Sequence, residues 1–251
     1  MLRYELKYII PVSRLDEVRS ILLPFIKYDS FAKRNGGEYT VRSIYFDTPR
    51  FECYTTKIAG VKNRNKVRIR GYNLESPDSD IFFEIKKKFE HPIYKHRTMI
   101  AFKEMDSVFE NGQLAGKSDD LNRFLYHVYG RQMKPVVTVI YEREAFEAPS
   151  ADMKNKLRIT FDKNLRALPY PSLDELYREE GAVTALHGHF ILEIKFNHYM
   201  PGWLAELVHS MNIKRTSASK YCMSIDALEE VKPYSRFDSL IFSRFSPERS
   251  N

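Results

Sequence analysis

Within three segments rich in Ile, Leu, Phe and Tyr a glutamate stands two residues before a lysine: Glu5–Lys7, Glu84–Lys86 and Glu193–Lys195. Bases recur at the same spacing, as Lys66, Arg68 and Arg70 in one segment, Lys86 and Lys88 in another, and Lys95 and Arg97 close behind. Arg143 follows Tyr141 by two, and Arg158 leads Thr160 and Asp162. Arginine forks and lysine point charges are side chains suited to phosphate oxygens. A few carboxylates among them suit a divalent cation bridging carboxylate and phosphate. Such a set could bind a row of anionic groups and align it for transfer, and a linear oligophosphate fits it best.

A spacing of two belongs to strands, where successive side chains point to opposite faces. Eight segments rich in Val, Ile, Tyr and Phe read as strands: 2–10, 40–48, 65–73, 81–90, 93–102, 134–147, 156–168 and 189–197. A half-buried sheet normally shows a mixed polar face to water. Here one face of most strands carries charge and the other carries apolar residues, as in Leu157, Ile159 and Phe161 against Arg158, Thr160 and Asp162. A sheet closed on itself with inverted polarity accounts for this better. Its apolar face would lie outward under helices and its charged face would line a lumen. An eight-stranded barrel is just wide enough inside for side chains or one slim ligand. Unpaired charges cannot be buried dry, so the lumen must hold water, counter-charges or a polyanion. Lys7, Arg68, Arg70, Lys86, Lys88, Arg143, Arg158, Lys195 and the more distant Lys220 are the expected lumen bases, against the acids Glu5, Glu84 and Glu193. Phe83, Ile85 and Lys87 should point outward.

Helical patterns are fewer: 13–23 with Ser13 as a possible N-cap, 119–129, 201–211 opened by Pro201, and 220–231. Trp203 is expected to pack its helix onto the barrel. Strands and helices do not alternate regularly, which disfavours a doubly wound parallel sheet. The expected fold is α+β, an eight-stranded, mostly antiparallel closed β-barrel with a charged lumen, flanked by helices. One domain should cover residues 1–231, with a peripheral tail at 232–251.

With 251 residues, 43% of them hydrophobic, the chain can bury a sizeable core, and its formal charge of +7 favours an anionic partner. Cys53 and Cys222 make neither a disulfide framework nor a zinc site. The first ten residues carry charges where a signal peptide needs an apolar stretch, and no run reaches the roughly 18 apolar residues of a membrane span. A cytoplasmic location is therefore expected. Basic charge with 14% aromatic residues also fits base stacking by a nucleic-acid binder. Acids regularly spaced among the bases argue against that partner. The segment "GQLAGKS" (112–118) has three residues between its glycines where a phosphate-binding loop has four, and no apolar strand leads into it.

Eight segments in order, "RYELKY" (3–8), "VRSIYFDT" (41–48), "KVRIRGY" (66–72), "FFEIKKK" (82–88), "YEREAF" (141–146), "LRITFD" (157–162), "ILEIKF" (191–196) and "SKY" (219–221), resemble the catalytic domain of the vacuolar transporter chaperone polyphosphate polymerases, within the triphosphate tunnel metalloenzyme superfamily. The resemblance covers residues 1 to about 230. It implies an antiparallel tunnel that moves the γ-phosphoryl group of ATP onto polyphosphate with Mn2+ or Mg2+. It also implies that Arg68, Arg70, Lys86 and Arg143 clamp the triphosphate, and that Lys7, Lys195 and Lys220 hold the acceptor or leaving phosphate. Lys88, Tyr141, Arg158, Ser219 and one or both of Lys95 and Arg97 join as substrate-binding residues. Glu193 is the implied metal ligand, while Glu5 and Glu84 either assist it or pair with neighbouring bases. Arg3 stands where the hydrolase branches have a glutamate, as in the polymerase branch. Ser217 stands where that branch tends to have another lysine. The likeness is to a compact, bacterial-type, stand-alone form whose partners are ATP and polyphosphate, with room for a membrane-protein partner. Triphosphate hydrolysis, or polyphosphate binding without catalysis, is the alternative.

Overall fold

The computed structural model describes residues 3–88, 93–110, 118–148 and 155–231, without the side chains of residues 88, 93, 94 and 110. The tail after residue 231, residues 112–117 and the Lys88 side chain thus lie outside what is described. Among the described residues ten strands form one antiparallel sheet, two more than the eight expected: β1 (Tyr4–Pro11), β2 (Lys27–Tyr28), β3 (Glu38–Asp47), β4 (Arg64–Tyr72), β5 (Asp80–Lys88), β6 (Ile93–Ala101), β7 (Lys134–Glu147), β8 (Arg158–Pro169), β9 (Val183–Thr184) and β10 (His189–Phe196). The eight long strands run β1-β10-β8-β7-β3-β4-β5-β6, with β2 beside β7 and β9 beside β8. Among the described residues seven α-helices accompany them: α1 (Leu15–Leu22), α2 (Ser30–Arg34), α3 (Glu52–Ile58), α4 (Met105–Glu110), α5 (Asp119–Gly130), α6 (Gly202–Ser210) and α7 (Lys220–Ala227).

The sheet's apolar face is its outer face. Val67, Ile69, Phe83 and Ile85 are buried in one cluster with Val108 of α4 and Leu121, Phe124 and Val128 of α5. Phe83 meets the Phe124 ring edge-on at 5.0 Å between centroids. On the other flank Phe161, Leu192 and Ile194 pack with Val18 and Leu22 of α1 and Leu204 and Leu207 of α6. Each such side chain contributes about 1.5–3 kcal/mol when fully buried, so these two outer layers hold the curl of the sheet. Trp203 stacks on Phe25 at 4.5 Å and packs against the second cluster.

Two further features of the fold depart from expectation. Among the described residues no backbone pairing joins the edge strands β1 and β6, so the barrel is not closed by a ladder. The curl brings the edges near enough for Lys86 Nζ to reach Glu5 Oε2 at 3.3 Å, so a side-chain bridge spans the gap. Arg3 and Lys95 repel each other from either side of that gap, and like charges oppose closer approach. Nor does Ser13 cap α1: residues 12–14 form a 3₁₀ turn, and the capping position, Arg14, makes no side-chain cap bond.

Local contacts set the starts of three helices, of which α2 and α3 showed no sequence periodicity. Asp29 caps α2 by accepting from the Phe31 and Ala32 amides. Fully buried Asp47 accepts from the amides of Cys53 and Tyr54 at 2.9 and 3.0 Å and from the Tyr221 hydroxyl at 2.5 Å, tying the start of α3 to α7. Ser219 caps α7 through its hydroxyl, which fixes the direction in which the next residue, Lys220, leaves the helix.

Candidate functional site: a charged lumen

The sheet's concave face encloses a cavity of about 280 Å³. Strand register decides what faces it. Lys7 on β1 sits opposite Glu193 on β10, and Glu5 opposite Lys195. Glu193 is in turn opposite Thr160, and Lys195 opposite Arg158. Across β7 and β8 Arg143 faces Asp162, and across β4 and β5 Arg68 faces Glu84. The period-two charges therefore become rows of cations and carboxylates crossing neighbouring strands. A bulge in β8, with Asn164 at φ 49°, separates this lumen stretch from the rest of that long strand.

Lys7, Arg68, Arg70, Lys86, Lys95, Arg97, Tyr141, Arg143, Arg158, Lys195 and Lys220 all line the cavity, together with Glu5, Glu84 and Glu193. Ser219 lines an adjoining space of about 650 Å³, bounded also by Lys57, Arg64 and Arg215 and sharing Arg3, Glu5, Lys7, Lys66 and Lys86 with the lumen. On the opposite side a third space, of about 470 Å³, shares Tyr39, Tyr72, Arg97 and Arg158 with the lumen and adds Phe31 and Phe82. The lumen thus has a basic vestibule at one end and an aromatic one at the other. Both Lys95 and Arg97 reach the lumen wall, and the Arg97 guanidinium lies 3.7 Å above the Phe82 ring centre.

Counter-charges hold the wall together. Arg143 grips Asp162 through Nε at 2.6 Å and Nη2 at 2.8 Å, and Lys220 Nζ reaches the same carboxylate at 2.5 Å. Arg68 donates from Nε to Glu84 at 2.6 Å and from Nη1 to the Tyr45 hydroxyl at 2.7 Å. Glu84 also lies 3.8 Å from Arg70 and 3.5 Å from Arg97. Lys7 pairs with Glu5 at 3.1 Å, and Lys195 pairs with Glu193. Burial pushes the Glu193 carboxyl up, but Lys195, Lys7, Lys220 and Arg143 outweigh it and hold its pKa well below the usual range. Burial likewise pushes the Tyr45 phenol up, while Arg68, Lys66 and Arg70 bring it down to about 7. For Lys195 burial dominates over Glu193 and lowers the ammonium to about 8. Two buried polar atoms behind this wall, Arg158 Nε and Thr160 Oγ1, have no hydrogen-bond partner among the described residues.

Among the described residues no three His, Cys, Asp or Glu side chains converge as cation ligands. Glu84 is committed to the three arginines around it, so Glu5, Glu84 and Glu193 do not act as one ligand set. Glu193 and Glu5 are close enough to raise each other's pKa. One or two carboxylates completed by phosphate oxygens match the way Mg2+ is usually held. The donors fit a divalent cation shared with a phosphorylated substrate, and do not fit one caged by protein alone.

Sequence reasoning left several residues of this wall out of the expected site, Lys66, Asp162 and Tyr45 among them. Lys66 shares the face of Arg68 and Arg70, and Asp162 shares the face of Arg158, so alternation could have found both. Tyr45 sits on β3 after Tyr39, Val41 and Ser43, an uncharged stretch of that face, and no base stands two residues from it.

Residues 2–229 match the family model described as the VTC domain. A relative, the vacuolar transporter chaperone complex subunit 2 of Saccharomyces cerevisiae, is 24% identical over 162 residues, which make up 53% of this chain and 19% of that protein. The match therefore spans about a fifth of the relative's length. A solved structure from Bacillus halodurans, described as a candidate adenylate cyclase, has 14% identity and a TM-score of 0.47, covering 87% of this chain and 96% of that one.

Proposed function

The chain belongs to the VTC domain family, and from that premise we propose that it is a polyphosphate polymerase that transfers the γ-phosphoryl group of ATP to a polyphosphate chain held in the lumen. The observation that carries this reading is the concave wall itself. Its cations converge from seven strands and α7 on one cavity, and that cavity continues into a second, basic space. A triphosphate alone would need the first space only, whereas a growing chain needs both.

Phosphoryl transfer asks the protein for alignment and charge neutralisation more than for covalent chemistry. Arg68, Arg70, Lys86 and Arg143 clamp the triphosphate, and the bidentate geometry of arginine suits paired phosphate oxygens. Lys220 is aimed from the N-terminus of α7 at the same region and sits 4.8 Å over the Tyr141 ring, so it neutralises charge on the transferring group. Lys7 and Lys195 hold the acceptor or leaving phosphate. The acceptor is already an anion, so no general base is required. Glu193, supported by Glu5, would share a Mn2+ or Mg2+ with the substrate, and the ion would polarise the phosphoryl group. Glu84 holds Arg68, Arg70 and Arg97 in place. No helix among the described residues is long and apolar enough to cross a membrane. A location in the cytoplasm and a membrane-protein partner that receives the product are part of this proposal.

Incubation with ATP and Mn2+, with products resolved on a gel, tests it. A polyphosphate ladder lost in Glu193→Gln and Lys220→Ala supports the polymerase. Free phosphate without a ladder identifies a triphosphatase. Triphosphate binding without turnover leaves a binding module, a reading favoured by Ser217, which lines the vestibule where the polymerase branch tends to carry a lysine.

A further inference from the structure

Across three neighbouring strands the register places Lys66 opposite Lys86, and Lys86 opposite Lys95. Like charges directly opposite one another destabilise a sheet, and here three stand in one row. One carboxylate reaches the row, Glu5 at 3.3 Å from Lys86 Nζ. Neither Lys66 nor Lys95 has an ion-pairing carboxylate among the described residues, unlike Lys7, Arg68, Arg143, Lys195 and Lys220. Lys66 Nζ instead donates to Ser219 Oγ at 3.0 Å, the hydroxyl that caps α7. Lys66 and Lys86 line both the lumen and the basic vestibule, so the row stands where the two spaces meet.

We propose that Lys66 is a phosphate-binding residue, which together with Lys86 and Lys95 grips one phosphate group of the anion chain at the junction of lumen and vestibule. The assignment rests on the reading of the lumen as a phosphate channel. The contact to Ser219 uses one of the three ammonium donors and fixes the direction of the others. A phosphate set among the three lysines turns their mutual repulsion into shared attraction. The groups facing Lys66 are Lys7 from β1, Tyr45 from β3, Lys86 from β5 and Cys222 from α7. Burial, with Lys7 and Lys86, lowers the Lys66 ammonium to about 8 against the pull of Tyr45 and Cys222. A bound phosphate favours the charged form, so binding near that pH draws in a proton.

Calorimetric titration with inorganic tripolyphosphate at pH 8, in two buffers of different ionisation enthalpy, tests the assignment on four proteins: wild type, Lys66→Met, Lys66→Arg and Lys87→Met. A charge-assisted contact corresponds to an affinity loss of about tenfold or more in Lys66→Met. Lys66→Arg should bind like wild type but take up less proton, since arginine is always charged. Lys87→Met should match wild type. Equal affinity in Lys66→Met and wild type overturns the assignment while leaving the channel reading intact. Proton uptake unchanged in Lys66→Arg also overturns it, and decides the matter alone if Lys66→Met does not fold. Absence of tripolyphosphate binding by wild type overturns the channel reading and this assignment with it.

Discussion

Arg143 and Asp162 face each other across β7 and β8, and two guanidinium nitrogens meet the two carboxylate oxygens at 2.6 and 2.8 Å. The same carboxylate takes Lys220 at 2.5 Å, so one acid restrains two of the cations assigned to the transferring phosphate. The acid cannot itself bind a phosphate. Its work is to hold those cations at fixed positions and to stabilise the fold around them.

Removal of that acid should therefore separate stability from binding. Asp162→Ala leaves Arg143 and Lys220 buried without their counter-charge, and the loss from breaking such a group is about 3–5 kcal/mol. Urea denaturation should show a drop of that order, while tripolyphosphate affinity at neutral pH holds or rises because two cations are released. Weaker binding with unchanged stability would contradict this division of roles.

Acid should destabilise the wall for the same reason. Burial raises the carboxyl of Glu84, but Arg68, Arg70 and Arg97 bring it down to about 2 from 4.5. Burial raises that of Asp162, and Arg143 and Lys220 bring it down to about 2 from 3.8. Both are acids with folded values below their unfolded ones. Their stabilisation is complete above the unfolded values and is lost as pH falls from about 4.5 towards 2. Unfolding free energy measured at about pH 6, 5.5 and 3 should be level over the first interval and fall over the second. Glu84→Gln should remove part of the fall, and a profile unaltered by that change would exclude Glu84 as a source.

Tyr45 should ionise near neutrality. Its hydroxyl accepts from Arg68 Nη1 at 2.7 Å, and burial is outweighed by Arg68, Lys66 and Arg70 to give a pKa of about 7. Because the folded value lies below the ordinary 10.0, the linked stability is full above that value and is lost as pH falls through 7. Ultraviolet absorbance should show one tyrosinate titrating near 7, absent in Tyr45→Phe. Tripolyphosphate should move that titration upward, because bound anion offsets the cations that hold the phenolate. A first tyrosinate appearing only near 10 would count against a cation-rich lumen around this residue.

Much of this wall was legible in the sequence because its period is two. Glu5–Lys7, Glu193–Lys195 and Arg68–Arg70 each report a shared face without knowledge of any neighbour. Register is a property of pairs of strands, and single-strand patterns carry none of it. Hence Asp162 gave no sign that it faces Arg143, nor Lys66 that it heads a row of like charges. For Glu84 the sequence left open whether it assists a metal or pairs with neighbouring bases, and three arginines surround it in the fold. The edges β1 and β6 bring Arg3 and Lys95, 92 positions apart in the chain, near enough to repel each other, which no single-strand pattern reports. The helix α3 depends on Asp47 accepting bonds from amides six and seven residues later, a signal with no apolar periodicity.

Chain length should change the salt dependence of binding. Lys57, Arg64 and Arg215 line the vestibule and not the lumen, and a tripolyphosphate seated among Arg68, Arg70 and Arg143 would not extend to them. Each additional cation met by a longer chain adds an attraction that salt screens, strongly so for the more solvent-exposed groups. A polyphosphate of a few tens of phosphates should therefore lose more affinity than tripolyphosphate between about 0.05 and 0.2 M salt, by analogy with the phosphate-contact dependence of nucleic-acid binding. Arg64→Ala together with Arg215→Ala should remove most of the difference while leaving tripolyphosphate binding nearly unchanged. Competition titrations of both ligands against a labelled tripolyphosphate measure it. Equal salt slopes for the short and long chains would show that the product leaves the lumen by another route than the basic vestibule.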